Sequence, residues 1–121
     1  MELKTVEEDG RRVVEGVPGA RFLSRAEDAG LVIEACLSNR ALAALLYAEN
    51  LPEEFFDLSS GQAGAILQKL QNYRIRLAIV CPAGSIELSS RFGDMVAEER
   101  RGRSFGMFET RCVAWEWLCR S

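Results

Sequence analysis

Residues 55–82, FFDLSSGQAGAILQKLQNYRIRLAIVCP, constrain the fold more than any other stretch of the chain. A small polar turn at residues 57–61 precedes apolar residues at helical spacing, which predict a helix over residues 61–72 with one apolar face. An unbroken apolar run at residues 77–81 then indicates a strand over residues 76–81 that is covered on both faces. A turn, an amphipathic helix and a buried strand in this order predict half of an α/β unit.

The rest of the chain supplies further strands and helices. Asp9-Gly10 is a preferred two-residue hairpin turn, because both positions tolerate positive φ, so we expect an antiparallel pair at the N-terminus. Ser24 and Glu27 fit a capping box at the start of a helix. Residues 43–48 suit a buried strand, although alanine and leucine also favour a helix there. We predict strands over residues 2–7, 11–16, 43–48 and 104–109, and helices over residues 24–38, 89–101 and 110–119.

Strands and helices alternate after the N-terminal hairpin. This alternation indicates a mixed sheet whose crossovers are right-handed and whose faces are covered by about four helices. A length of 121 residues suits one domain that spans residues 1–121. The predicted fold is therefore a single α/β domain with a mixed β-sheet, in which an N-terminal antiparallel hairpin is followed by alternating strands and helices.

Charge and composition narrow the classes of function. A net charge of −3 provides no field that would draw the chain to nucleic acid or to an anionic membrane. The chain has no histidine, which removes the commonest general base and most zinc sites, and its carboxylates form no recognisable catalytic pair. Its four cysteines lack CxxC spacing, and no run of about 18 apolar residues is present. We expect a cytoplasmic protein without a cofactor, a metal site, a nucleic-acid partner or a membrane anchor.

Two family resemblances rest largely on the central stretch. Residues 43–82, with FDLSSG at positions 56–61, resemble the middle of a STAS domain, the fold of the bacterial anti-sigma factor antagonists. Over nearly its full length the chain resembles a family of short bacterial proteins known as domain of unknown function 4180. The residues that carry this second resemblance are residues 55–80, Ser90-Arg91-Phe92, Arg101-Gly102, Phe108-Glu109-Thr110-Arg111 and Trp117-Leu118. The resemblance to this family implies no activity.

The STAS resemblance implies a STAS-like fold and a regulatory site. In STAS antagonists a partner kinase phosphorylates the serine that corresponds to Ser59, which here precedes Ser60 and Gly61 and is separated from Asp57 by Leu58. A phosphate at a helix N-terminus faces free amides and adds a charge of about −1.5 to −2, which can abolish partner docking. The same residues also suit an ordinary helix-entry turn, in which Asp57 or Ser59 accepts hydrogen bonds from the first amides.

Trp115 is a candidate interface residue. In a helix over residues 110–119, one face is shared by Ala114, Trp117 and Leu118. Trp115 then lies on the flank of the helix, where it would be partly exposed. Because exposed tryptophans often anchor interfaces, we expect a homodimer or a partner surface at this helix.

Three functions are compatible with this sequence. The one we favour is a non-enzymatic STAS-like regulatory or protein-interaction module, which acts through the surface around Asp57, Ser59, Ser60 and Gly61 and the helix that follows. The second is a small-molecule-binding protein or an enzyme with a pocket at the carboxyl ends of the strands. The third is a structural homodimer. A flat surface with an exposed Ser59 hydroxyl would favour the first, and a deep pocket with convergent polar groups would favour the second.

Overall fold

The structure, a computed structural model, describes residues 3–8, 10–19, 23, 26–57, 60–82 and 90–119. Short 3-10 turns cover Ala26–Asp28, Ala48–Asn50 and Glu53–Phe56. The strands are β1 (Leu3–Glu8), β2 (Arg11–Gly16), β3 (Ala43–Tyr47), β4 (Arg76–Val80) and β5 (Phe105–Phe108). The helices are α1 (Ala29–Ser38), α2 (Gln62–Asn72), α3 (Ser90–Arg101) and α4 (Arg111–Cys119).

The five strands form one mixed sheet in the order β1-β2-β3-β4-β5. β1 and β2 pair antiparallel, with Val6 opposite Val13, and the remaining neighbours pair in parallel. The ambiguous segment is a strand: it pairs in register with β4 along its whole length, from Ala43 opposite Arg76 to Tyr47 opposite Val80. The predicted α/β class, with its N-terminal hairpin, mixed sheet and four helices, is confirmed.

The two faces of the sheet carry separate cores. On the first face, strand residues such as Leu46 and Ile79 pack against α1, α2 and Phe92 of α3. On the second face, Leu45 and Ala78 belong to a smaller cluster covered by α4, through buried Ala114 and Leu118. Because strand side chains alternate between faces, the continuous apolar runs of β3 and β4 supply both cores at once.

Aromatic rings close the first core. The 3-10 turn Glu53–Phe56 buries both of its phenylalanines, whose ring centroids lie 5.2 Å apart in an edge-to-face arrangement. The Phe55 ring also lies 6.1 Å from the ring of Phe92 in α3 and 6.1 Å from that of Phe105 in β5. This cluster ties the segment before α2 to the far edge of the sheet.

Arg76 fixes the C-terminus of α4. Its guanidinium donates to the carbonyl oxygens of Leu118 and Trp117, at 2.9 and 3.0 Å, and lies 4.3 Å from the centroid of the Trp117 ring. The last carbonyls of a helix have no partner within the helix, so this arginine satisfies two of them and complements the helix dipole. α4 is thereby held against the second face of the sheet.

The predicted element boundaries need small corrections. The proposed capping serine, Ser24, lies outside the described residues, and α1 is preceded by the turn Ala26–Asp28.

None of the helices in the part of the chain that the structure describes is long and apolar enough to span a membrane.

Candidate functional site

The corner that leads into α2 is the region for which the sequence predicts a regulatory site. Because α2 returns the chain to the start of β4, this corner lies at the carboxyl end of the parallel strands. Ser59 and Leu58 lie outside the described residues, whereas Asp57, Ser60 and Gly61 are described and exposed. Gly61 stands at the N-cap of α2 with φ of +79°, a left-handed conformation that glycine adopts at little cost.

The Ser60 hydroxyl is engaged with the backbone of the corner. Its Oγ lies 2.5 Å from the carbonyl oxygen of Glu54 and 2.8 Å from that of Asp57, so its hydrogen is shared between two acceptors. The same oxygen accepts a hydrogen bond of 3.2 Å from the backbone N–H of Gln62. Ser60 therefore contributes a helix-entry contact of the kind that the sequence predicts for Asp57 or Ser59, and its hydroxyl is not poised as a nucleophile.

A partly buried ion pair, in which the carboxylate is buried and the arginine side chain is 40% exposed, lies near the same end of the sheet, on the opposite face. The Glu15 side chain is only 4% exposed and accepts hydrogen bonds from Tyr47 Oη at 2.6 Å and from Arg111 Nε and Nη2 at 3.0 and 3.1 Å. Arg111 also lies 3.9 Å from Glu8. The cluster joins β2, the last residue of β3 and the first turn of α4, and no motif in the sequence had indicated it.

The environment of this cluster shifts the pKa values of Glu15 and Tyr47 in opposite directions. Burial acts to raise the pKa of Glu15, but the hydrogen bonds from Arg111 and Tyr47 and the charge of Arg111 outweigh it, so the pKa lies below its ordinary value. Burial, together with the hydrogen bond to Glu15, raises the pKa of Tyr47 to about 12. The Glu15 carboxylate therefore stays charged and hydrogen-bonded. This state suits a structural link between β2, β3 and α4 rather than acid–base chemistry.

The cysteines give no sign of a reactive site. Burial raises the pKa of the Cys36 thiol to about 12, so this side chain is a small apolar residue of the first core. Cys112 is exposed on α4, and Cys81 and Cys119 are half-buried. Within the described ranges, no group of His, Cys, Asp or Glu side chains is arranged to hold a metal ion.

A groove of about 530 Å³ runs between α1 and α2. Two of its large side chains are unusually exposed for their type, Leu37 by 53% and Tyr73 by 50%. Its lining also includes charged side chains, with Glu27 and Glu34 on the α1 side and Lys69 on α2, and the uncharged polar residues Ser38 and Asn72. An apolar concavity edged by charges is typical of a surface that receives another molecule.

Trp115 is half-buried on α4, as predicted, and the Arg111 guanidinium lies 5.0 Å from the centroid of its ring. Its role at an interface stays a prediction. The structure does not bring the two predicted sites together, because α2 packs on the first face of the sheet and α4 on the second.

Comparison with known proteins gives a family and no activity. A family model described as Domain of unknown function (DUF4180) matches residues 8–118, so the chain belongs to this family. No curated protein matches the chain, and no solved structure matches it.

Proposed function

We propose that this member of the DUF4180 family is a non-enzymatic, STAS-like protein-interaction module with a regulatory role, which contacts its partner through α2, the α1–α2 groove and the corner at residues 57–61. The observation that carries this proposal is the pair of large, half-exposed side chains, Leu37 and Tyr73, in one concave surface. Exposing apolar area of this kind costs solvation free energy unless another surface covers it.

The shape of the groove favours a protein partner. A groove between two packed helices can receive a third helix, whose apolar side chains at i, i+3 and i+4 would lie on Ile33, Leu37 and Tyr73. Tyrosine is enriched at such contacts because it buries a large area at small entropic cost. Glu34 and Lys69 at the rim would select the orientation of the incoming segment by charge.

The state of the polar groups supports binding rather than catalysis. The side chains best suited to chemistry are occupied by the fold: the Ser60 hydroxyl by backbone carbonyls, Glu15 by Arg111 and Tyr47, and Cys36 by the core. A catalytic group needs a pKa near the operating pH and an unengaged reacting atom. The Tyr47 and Cys36 pKa values of about 12 are far from that range.

Replacing Leu37 or Tyr73 with glutamate is expected to reduce partner capture at least about tenfold, since truncating or charging a central interface residue commonly costs 2 kcal/mol or more of binding free energy. Both side chains are half-exposed, so the fold should tolerate the change. Pull-downs from the native host, quantified by mass spectrometry, give the measurement. Leu31→Glu is the matched control, because Leu31 is 50% exposed on α1 and does not line the groove. Equal capture by the groove variants and the control would refute the role of the groove.

We expect Ser59→Asp to remove partners that the wild-type protein and Ser59→Ala both capture. A negative charge three residues before the first residue of α2 would interact with the positive end of the helix dipole and change the electrostatic character of the corner. The three baits are compared in the same native-host pull-down. Identical partner sets for all three would remove the switch from the proposal and leave the interaction module standing.

A further inference from the structure

Three successive helices end in the same hydrogen-bonded turn. In each, the second residue past the C-cap donates its backbone N–H to a carbonyl five positions earlier: Ala41 to Cys36 at 2.8 Å, Ile75 to Leu70 at 3.0 Å and Ser104 to Glu99 at 3.2 Å. The preceding residue donates to the carbonyl three positions before it, in each case. This pair of bonds defines the Schellman motif, which requires a left-handed residue just past the helix.

In all three turns the left-handed residue is an arginine. Arg40, Arg74 and Arg103 have φ of 56°, 57° and 63°, and they are the non-glycine residues with positive φ in the described part of the chain. Glycine is the usual residue at this position, and asparagine is next, because a Cβ in the left-handed region is strained. In α3 glycine is adjacent in the chain, at Gly102, yet the left-handed position is taken by Arg103.

The topology places these arginines in one row. α1, α2 and α3 lead directly into β3, β4 and β5, which are neighbouring parallel strands. The three turns therefore lie side by side at the amino-terminal ends of these strands. Strands about 4.8 Å apart put the outer turns roughly 10 Å from each other. All three side chains are exposed, and none pairs with a carboxylate among the residues that the structure describes.

Exposed apolar side chains share this edge. Leu42 is 61% exposed two residues after Arg40, and Tyr73 is 50% exposed immediately before Arg74. Leu37, which lines the groove, lies at the same end of α1. Arginine and tyrosine are enriched at the centres of interfaces, so three guanidinium groups beside an exposed tyrosine favour a contact surface over an ordinary solvated one.

We propose that this edge, defined here as the arginine edge (Arg40, Leu42, Tyr73, Arg74 and Arg103), docks an acidic segment of a partner protein. Carboxylates of that segment pair with the three guanidinium groups, and an apolar side chain covers Leu42 and Tyr73. The inference rests on the proposed function, because Tyr73 also lines the α1–α2 groove and makes the two surfaces continuous. The arginine edge additionally predicts that the partner segment is negatively charged, which the groove alone does not predict.

Nucleic acid fits this edge less well than an acidic polypeptide. A phosphate backbone would use the arginines but leave Leu42 without a contact. A net charge of −3 also opposes the general attraction on which nucleic-acid binding depends. An acidic segment with an apolar anchor satisfies both the cations and the leucine.

A purely structural explanation has a distinct consequence. Cations near a helix C-terminus interact favourably with its dipole, so the arginines could serve as caps. If so, replacing all three with asparagine, which tolerates the left-handed region, would lower the melting temperature. If instead the arginines adopt a strained backbone conformation and serve to contact a partner, the variant Arg40→Asn/Arg74→Asn/Arg103→Asn should have the same melting temperature as the wild type or a higher one. A fall of more than about 3 °C, a change that can be measured in a domain of this size, would overturn the proposal.

Photo-cross-linking in the native host tests the partner directly. The residue p-benzoylphenylalanine replaces Leu42 in the full chain, and the cross-linked peptide is identified by mass spectrometry. The expected product is a protein segment rich in Asp and Glu, with a yield that falls at least about fivefold when the three arginines are asparagine, because three charge pairs with the partner are lost. The control Lys4→Gln/Arg91→Gln removes two exposed cations at the opposite end of the strands, in β1 and at the start of α3, and should leave the yield unchanged.

The remaining outcomes separate this inference from the proposed function. A second probe at Glu34 reports on the groove alone. Cross-linking from Glu34 but not from Leu42 overturns the arginine edge and leaves the interaction module standing, whereas no cross-linking from either position counts against both. A Leu42 product that is a nucleic acid, a second copy of the chain or a neutral or basic segment also overturns the inference. A yield that the arginine variant and the control variant reduce equally also overturns it.

Discussion

Replacing Arg111 with methionine is expected to lower the free energy of unfolding by about 2 kcal/mol at pH 7, because the change leaves the Glu15 carboxylate buried with Tyr47 as its remaining hydrogen-bond donor in the cluster. The cost is below that of a fully buried pair because the Arg111 side chain is 40% exposed and solvent screens part of its charge. Methionine keeps an unbranched apolar side chain but removes the guanidinium that lies 5.0 Å from the centroid of the Trp115 ring, so the loss of this cation–π contact is part of the expected cost. Urea denaturation at pH 7 measures the difference.

The same variant should show an inverted dependence of stability on pH. In the wild type the pKa of Glu15 in the folded protein lies below its ordinary value of 4.5. The ion pair therefore stabilises the fold above pH 4.5, and this stabilisation is lost as the pH falls further through the folded pKa. In Arg111→Met burial is no longer outweighed, and the folded pKa of Glu15 should rise above that of the unfolded chain. Protonation then stabilises the variant, so its deficit relative to the wild type should shrink between pH 7 and about pH 5.

A double variant isolates the buried charge as the cause. Glu15→Gln/Arg111→Met removes the carboxylate together with its partner and should recover more than half of the stability lost in Arg111→Met. Its remaining deficit should not change between pH 7 and pH 5, since the titrating group is gone. A single variant whose deficit is the same at both pH values, or a double variant as unstable as the single one, would contradict the account.

The contrast between the fold and this cluster shows what the sequence could predict. Helix α2 and strand β4 were predicted within a residue of their ends, because the spacing of apolar side chains records which face is buried. The contact between Glu15 and Arg111 joins positions 96 apart, and it depends on how α4 lies across the sheet, which periodicity does not encode. A usable signal existed: a glutamate inside a strand otherwise rich in valine needs a buried partner.

The arginine edge was missed for a different reason. Sequence rules for helix ends search for glycine or asparagine, and Asn39 and Gly102 stand just after α1 and α3. The left-handed positions, however, fall one residue later, on Arg40 and Arg103. At the corner before α2, likewise, the sequence located the turn, while the hydrogen bonds that assign its helix-entry role to Ser60 required coordinates.

Gly16→Ala is expected to lower the free energy of unfolding by about 3 kcal/mol, near the upper end of overpacking effects. A Cβ at this position would overlap Asn50 Oδ1 and lie 3.1 Å from Leu46 Cδ2. Asn50 cannot move aside, since it is fully buried, its Oδ1 accepts from the Tyr47 N–H at 2.8 Å and its Nδ2 donates to the Val17 carbonyl at 2.8 Å. Displacing it would leave buried polar groups unpaired.

A double-mutant cycle measured by urea denaturation decides whether Asn50 is the cause. Gly16→Ala should cost at least about 1 kcal/mol less in an Asn50→Ala background than in the wild type, because the overlapping amide is then absent. Gly64→Ala is the matched control: a Cβ there meets no atom within 4 Å, so this helical glycine should instead stabilise the protein by about 0.5–1 kcal/mol. Additive costs at positions 16 and 50 would show that the two residues are not coupled. Glycine at this point of the sheet would then be required by another contact, such as the approach of 3.1 Å to Leu46 Cδ2, and not by the buried asparagine.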